Sequence, residues 1–173
     1  AGRGRKDVGA IGDRTLIQNE LAFFNGAGST DADGNINSYE WNWGDNSVLN
    51  AISTTYHKWT NSGVYTVTLT VTDNDGRTGK ATIRVTVITV STAISNIKSD
   101  IDGLCLSDGI KNSFKVKLVD AGNSVASAKF KTASNHIQSF INEVKAQSGK
   151  ALTADQANLL ILKAKWIMYN MPT

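Results

Sequence analysis

The stretch NSYEWNWGDNS, Asn37–Ser47, sets Tyr39, Trp41 and Trp43 at every second position and then breaks on Gly44-Asp45-Asn46. Side chains two apart share one face of a strand, so the three rings form a row. Gly, Asp and Asn are turn formers. Such a row beside an acidic turn is either an aromatic ligand surface or the heart of a sheet. A sandwich of two sheets needs a large aromatic at its centre, and we read Tyr39, Trp41 and Trp43 as core.

The flanking sequence supports a sheet. In VYTVTLTVT, Val64–Thr72, Tyr65, Val67, Leu69 and Val71 alternate with Thr66, Thr68 and Thr70, the period of a half-buried strand with a solvated Thr face. The turn cluster DNDGRTG follows, Asp73–Gly79, and KATIRVTVITV resumes the alternation with Ile83, Val85 and Val87 inward. These two runs predict an antiparallel hairpin. Upstream, LAFFNG, INSYEWNWG and AISTTYHKW are strands separated by the turns AGSTDADGN and DNSVLN. Short strands punctuated by turn residues predict an all-β sandwich over residues 8–90, preceded by a basic segment at 1–7.

Beyond Val90 the period becomes helical. Ile94, Ile97, Ile101 and Leu104 form one stripe, and Ile110, Phe114 and Leu118 a second, after the N-cap candidates Ser107 and Asp108. A third runs through Phe130, Ala133, Ile137, Phe140, Ile141 and Val144 and ends near Gly149. In the fourth, Thr153 and Gln156 fit a capping box, and Ala157, Leu160, Ile161, Ala164, Ile167 and Met168 line the inner face. Four helices with short connections predict a separate all-α bundle over 91–173. Because Leu159, Leu162 and Trp166 occupy a second face of the last helix, that helix is expected at the centre of the bundle, with an intermolecular contact as the alternative.

Composition narrows the chemistry. With 173 residues and 40% hydrophobic content, one large or two small domains can close a core. No apolar run approaches the roughly 20 residues of a membrane span. The start, AGRGRKDVGA, is basic without an apolar stretch behind it, and a chain lacking an initiator Met reads as a mature or excised fragment. The single Cys105 excludes an internal disulfide and is expected as a small buried hydrophobe. Two His and one Cys cannot furnish a structural zinc site. Residues 1–90 hold eight Lys or Arg against nine Asp or Glu, and residues 91–173 ten against six. The basic half has scattered lysines, which suits a solvated surface and not a nucleic-acid face.

FNGAGSTDADGNINSYEWNWGDNS, followed by YHKWTNSGVYTVTLTVTDNDG, closely resembles the PKD domain, an immunoglobulin-like sandwich of extracellular proteins. The matching residues are Phe24, Gly26, Gly28, Ser29, Asp31, Asp33, Gly34, Tyr39, Trp41, Gly44, Asp45, His57, Gly63, Tyr65, Val67, Leu69 and Val71. The chain departs at Asn42 for Asp, Trp43 for Phe, Asn46 for Gly and Trp59 for Tyr. FINEVKAQSGKALTADQANLLILKAKWI, with SDGIKNSFKVKL before it, resembles the FIMAH module, a small helical bundle near the ends of secreted proteins and polysaccharide-degrading enzymes.

Two Asp-x-Asp-Gly loops, at Asp31/Asp33 and Asp73/Asp75, would form a hard oxygen site for calcium if the sandwich brings them to one end. Some PKD-like domains bind calcium through comparable loops, which the resemblance carries to these four residues. Neither loop is an EF-hand, because the twelfth position holds Asn42 in one and Arg84 in the other. His57 is expected in a structural hydrogen bond. No Gly-x-Ser-x-Gly elbow or phosphate loop occurs, and no catalytic constellation was found. The surface rings expected to meet a ligand such as a sugar are Tyr56 and Trp59.

The resulting expectation is a non-enzymatic accessory region of a secreted or cell-surface protein. It would serve as spacer and as protein- or carbohydrate-interaction module, with attachment to a polysaccharide- or protein-degrading enzyme as one setting. The alternative is a structural adhesion protein that self-associates into a layer or filament. Expected partners are protein or polysaccharide at the cell surface, with no nucleic acid and no membrane insertion.

Overall fold

A computed structural model describes residues 12–172, and the chain divides into two compact units between Ile88 and Thr89. The basic segment expected at 1–7 lies outside the described residues.

Seven strands build the first unit: β1 (Arg14–Ile17), β2 (Ala22–Asn25), β3 (Ile36–Asn42), β4 (Val48–Ala51), β5 (Thr54–His57), β6 (Gly63–Asp73) and β7 (Thr78–Ile88). One sheet has the order β1-β7-β6-β3-β4, and the other pairs β2 with β5. All ladders are antiparallel except β1 on β7. The expected hairpin is β6–β7, closed from Thr72↔Thr78 to Gly63↔Val87. Two strands went unseen in the sequence. β4 arises inside DNSVLN, read as a turn, because Val48 and Leu49 pair with Asn42 and Trp41 of β3. β1 has only four residues, too few to show a period.

The two sheets close on Phe24, Trp41, Trp43, Trp59, Val67, Leu69, Val71, Val85 and Val87, with Tyr39, Tyr65 and Ile83 packed at the margin. The row Tyr39-Trp41-Trp43 therefore faces inward, as expected. Trp41 and Trp43 stack at 5.5 Å, and Phe24 meets Trp43 edge-on at 5.0 Å, a geometry that adds to simple area burial.

The second unit contains α1 (Val90–Asp102), α2 (Asp108–Ala126), α3 (Phe130–Gln147) and α4 (Ala154–Tyr169). The predicted stripes supply most of the buried residues of the helices: Ile94, Ile97 and Ile101 in α1, Phe114 and Leu118 in α2, the stripe from Ala133 to Val144 in α3, and Ala157, Leu160, Ala164 and Ile167 in α4. Ile110, Phe130, Ile161 and Met168 are half-buried, and Leu104 lies beyond α1. Phe114 meets Phe140 edge-on at 5.7 Å between α2 and α3. The capping box on α4 forms in full: the Gln156 N–H donates to Thr153 Oγ1 at 3.2 Å, and the Thr153 N–H donates to Gln156 Oε1 at 2.9 Å. The α2 terminus is a Schellman turn. The N–H groups of Ala128 and Lys129 donate to the carbonyls of Val125 and Ser124, and Ala128 takes the left-handed φ of 54° in the place glycine usually fills.

Two expectations are corrected in this unit. The second face of α4 is open: Leu159 and Leu162 are exposed, so this helix is not the enclosed centre of the bundle. Its inner face of Ala157, Leu160, Ala164 and Ile167 suffices to seat it on one side. Cys105 is exposed, because the connection from α1 to α2 runs over the surface. No helix among the described residues is long and apolar enough to cross a membrane.

Candidate functional site

Three places in the sandwich hold the residues singled out in the sequence. The first is the turn after β3. The Asn42 side-chain carbonyl accepts from the Gly44 N–H at 3.0 Å, Gly44 has φ 77° and Asn46 φ 71°. Asn tolerates the left-handed region better than other side-chain-bearing residues, so Asn46 keeps the turn that glycine makes in the family pattern. The turn aims Asp45 at β5, where His57 Nε2 lies 2.9 Å from Asp45 Oδ2. His57 in turn stacks on Trp43 at 4.4 Å, the planes 2° apart, and meets Trp59 edge-on at 4.5 Å. The expected structural role of His57 is thus filled by a clasp between a turn of the larger sheet and a strand of the smaller. Partial burial works against the Asp45 charge, but hydrogen bonds from the Ser47 hydroxyl, His57 and the Ser47 N–H outweigh it and hold this carboxyl below its usual range.

A second clasp joins helices α2 and α3. Lys117 Nζ lies 2.7 Å from Glu143 Oε2, and the Ser113 hydroxyl donates to Glu143 Oε1. Burial again opposes the charge, and the bonds from Lys117 and Ser113 depress the Glu143 pKa against it. A carboxyl depressed by folding stabilises the native state at any pH above its unfolded value. That contribution fades as pH falls through the folded pKa. Both units should therefore melt at falling temperatures as pH is lowered from about 5 toward 3. Glu143→Gln should flatten the bundle's acid dependence and leave the sandwich's unchanged; thermal scans followed by helix ellipticity and by tryptophan fluorescence separate the two.

The second place is the pair of Asp-x-Asp-Gly loops, which the fold does bring to one end. The Asn74 N–H donates to the Asn35 carbonyl at 3.1 Å, and Asn74 Oδ1 accepts from the Asn35 N–H at 2.9 Å. The four aspartates divide once there. Asp73 is buried and its Oδ1 accepts from the N–H groups of Asp75 and Arg77 at 2.9 and 2.7 Å. Asp33 and Asp75 face the Arg77 guanidinium at 3.7 and 3.1 Å, while Asp31 packs its Oδ2 beside Gly34. Among the described residues no three His, Cys, Asp or Glu side chains are placed to share a metal ion. Asp31, Asp33, Asp73 and Asp75, the residues expected to hold calcium, thus lie at one end of the sandwich, with Asp33 and Asp75 on the Arg77 guanidinium and Asp73 Oδ1 on two backbone donors.

The third place is the outer face of the β2–β5 sheet. Tyr56 stands there 59% exposed, as expected of a surface ring. Trp59 does not: it is 2% exposed, its indole N–H donates to the Trp43 carbonyl at 3.3 Å, and its ring packs on Phe24 and Tyr65. The reason is parity, since Tyr56 and Lys58 point outward while His57 and Trp59 point inward. The ring that joins Tyr56 is Phe23, 43% exposed, directly opposite it in the ladder with centroids 5.1 Å apart and planes at 53°. Phe23 was legible in FFN: once Phe24 is assigned inward, its neighbour must face solvent. Asn25 and Thr54 form the next outward pair, and exposed Leu21 and Lys58 flank the other end. The Arg14 guanidinium donates to the Phe23 carbonyl at 2.6 Å, fixing the strand beneath its ring.

The fold and these motifs define an immunoglobulin-like sandwich whose aromatic core is tied by an Asp–His clasp. Residues 7–87 match the family model described as PKD domain, and the sandwich is a PKD domain. A 76-residue segment is 40% identical to collagenase ColA of Clostridium perfringens, covering 44% of this chain and 7% of that protein. An 80-residue segment is 38% identical to collagenase ColA of Bacillus cereus, covering 46% and 8%. Among solved structures, the PKD1 domain of the Vibrio cholerae metalloprotease PrtV is 28% identical with a TM-score of 0.36, over 49% of this chain and 93% of that one. The match thus spans less than a tenth of the length of either collagenase.

Proposed function

We propose that this chain is a non-catalytic accessory region of a secreted or cell-surface protein, in which the PKD sandwich holds a polymeric ligand on the outer face of its two-stranded sheet. The observation that carries the reading is the Phe23–Tyr56 pair, two exposed rings on a face whose reverse side is anchored in the core by Phe24. Exposed aromatics on a rigid strand pair cost little entropy to engage and stack on sugar or proline rings. Asn25, Thr54 and Lys58 border them with hydrogen-bonding groups. The likeness to collagenase segments makes a fibrous protein the first ligand to try, with polysaccharides second.

The test is retention of the 173-residue chain on insoluble collagen, chitin, cellulose and pectin. Binding to at least one is expected. Phe23→Ala with Tyr56→Ala should weaken it roughly tenfold or more, the scale of losing two aromatic anchors, with an unchanged melting profile. Failure on all four polymers, or retention indifferent to the double substitution, refutes the reading.

A further inference from the structure

The open face of α4 carries a second, independent signal. Asp155, Leu159, Leu162, Trp166 and Tyr169 follow one another at spacings of four, three, four and three, the a/d pattern of a coiled coil. These are not the residues that seat the helix in its bundle, which are Ala157, Leu160, Ala164 and Ile167. Leu162 is 65% and Tyr169 88% exposed. Three large side chains of this stripe, Leu159, Leu162 and Tyr169, stand exposed around a half-buried Trp166 and beside a complete inner face, which marks a surface that meets another helix.

We infer that this face pairs with the same face of a second copy, the two α4 helices running antiparallel. Charge order selects this occupant. Exposed Asp155 opens the face and exposed Lys165 flanks its far end, and neither makes an ion pair within the described residues. Reversing one copy about a point between Leu159 and Leu162 sets Leu159 against Leu162 of the other copy, twice, and each Asp155 beside the other copy's Lys165. A partner helix of a single charge sign would satisfy only one end. The same reversal carries Tyr169 toward the groove between α1 and α4, which is lined by Gly103, Leu104, Gln156, Leu159 and Leu160 of the facing copy. The helix is already formed, capped at Thr153 and seated in its bundle, so association bears no helix-nucleation cost. A contact this short makes a weak, concentration-dependent dimer.

Sedimentation equilibrium of the 173-residue chain over a concentration series tests the pairing. A monomer–dimer equilibrium is expected. Leu162→Asp, at an exposed position that the bundle does not use, should raise the dissociation constant at least about tenfold. Asp155→Lys alone sets like charges together at both ends and should raise it several-fold, as should Lys165→Glu alone. The double variant restores opposite charges and should return to within about twofold of the parent. A strict monomer up to about 1 mM overturns the inference. So does a dimer indifferent to Leu162→Asp, or a double variant no better than the two singles.

Discussion

Trp59→Ala should unfold the sandwich under conditions in which the parent is stable. The ring is sealed between the sheets against Phe24, Trp43, His57 and Tyr65, and no side chain next to it is free to fill the space. Truncating a buried Trp costs about 3–5 kcal/mol, a large part of the 5–15 kcal/mol that holds a typical domain together. The loss also leaves the Trp43 carbonyl without its indole donor. Three of the four tryptophans lie in the sandwich, while the helices dominate ellipticity. Urea unfolding followed by fluorescence should therefore shift strongly, and the ellipticity transition should stay near its parent midpoint. A fluorescence shift worth less than about 1 kcal/mol would place Trp59 on the surface after all.

Gly44→Ala should be nearly as damaging, through the backbone. At φ 77° an alanine is strained by roughly 1–2 kcal/mol, and its Cβ would lie 2.8 Å from the Thr66 carbonyl oxygen and 3.0 Å from the Thr66 nitrogen. Those atoms belong to β6, held in the centre of the larger sheet between β3 and β7, so they cannot move aside cheaply. A total of about 2–4 kcal/mol is expected from strain and overpacking together. Gly76→Ala is the control: its φ is 79°, but nothing lies within 4 Å of the added carbon, so only the conformational share, about 1–2 kcal/mol, should appear. Equal losses at the two sites in denaturant titration would mean that the contact with β6 contributes nothing.

Strand β6 was legible because Tyr65, Val67, Leu69 and Val71 repeat at the sheet period for long enough to be seen, and α4 because its cap and its inner stripe agree. β4 was not legible, since Val48 and Leu49 sit among turn formers and become a strand only when β3 offers its free edge. The outer face of the β2–β5 sheet shows the same division. Tyr56 and Phe23 could each be placed outward, but that they stand side by side depended on knowing which strand lies opposite, and Trp59 was misread because it was judged by the turn that follows it and not by parity.

Local periodicity and turn chemistry, present in the chain itself, determined two units of different class, the inward aromatic row from Tyr39 to Trp43, and the Asp–Gly turns. Those signals act between residues close in sequence, where spacing alone states which face a side chain takes. What only the tertiary structure decided are meetings across long separations: Arg77 beside both Asp33 and Asp75, Phe23 beside Tyr56, and an outer face on α4 that its own bundle leaves uncovered. Each depends on which strand or helix packs alongside, and packing is settled by the whole buried surface and not by any one segment.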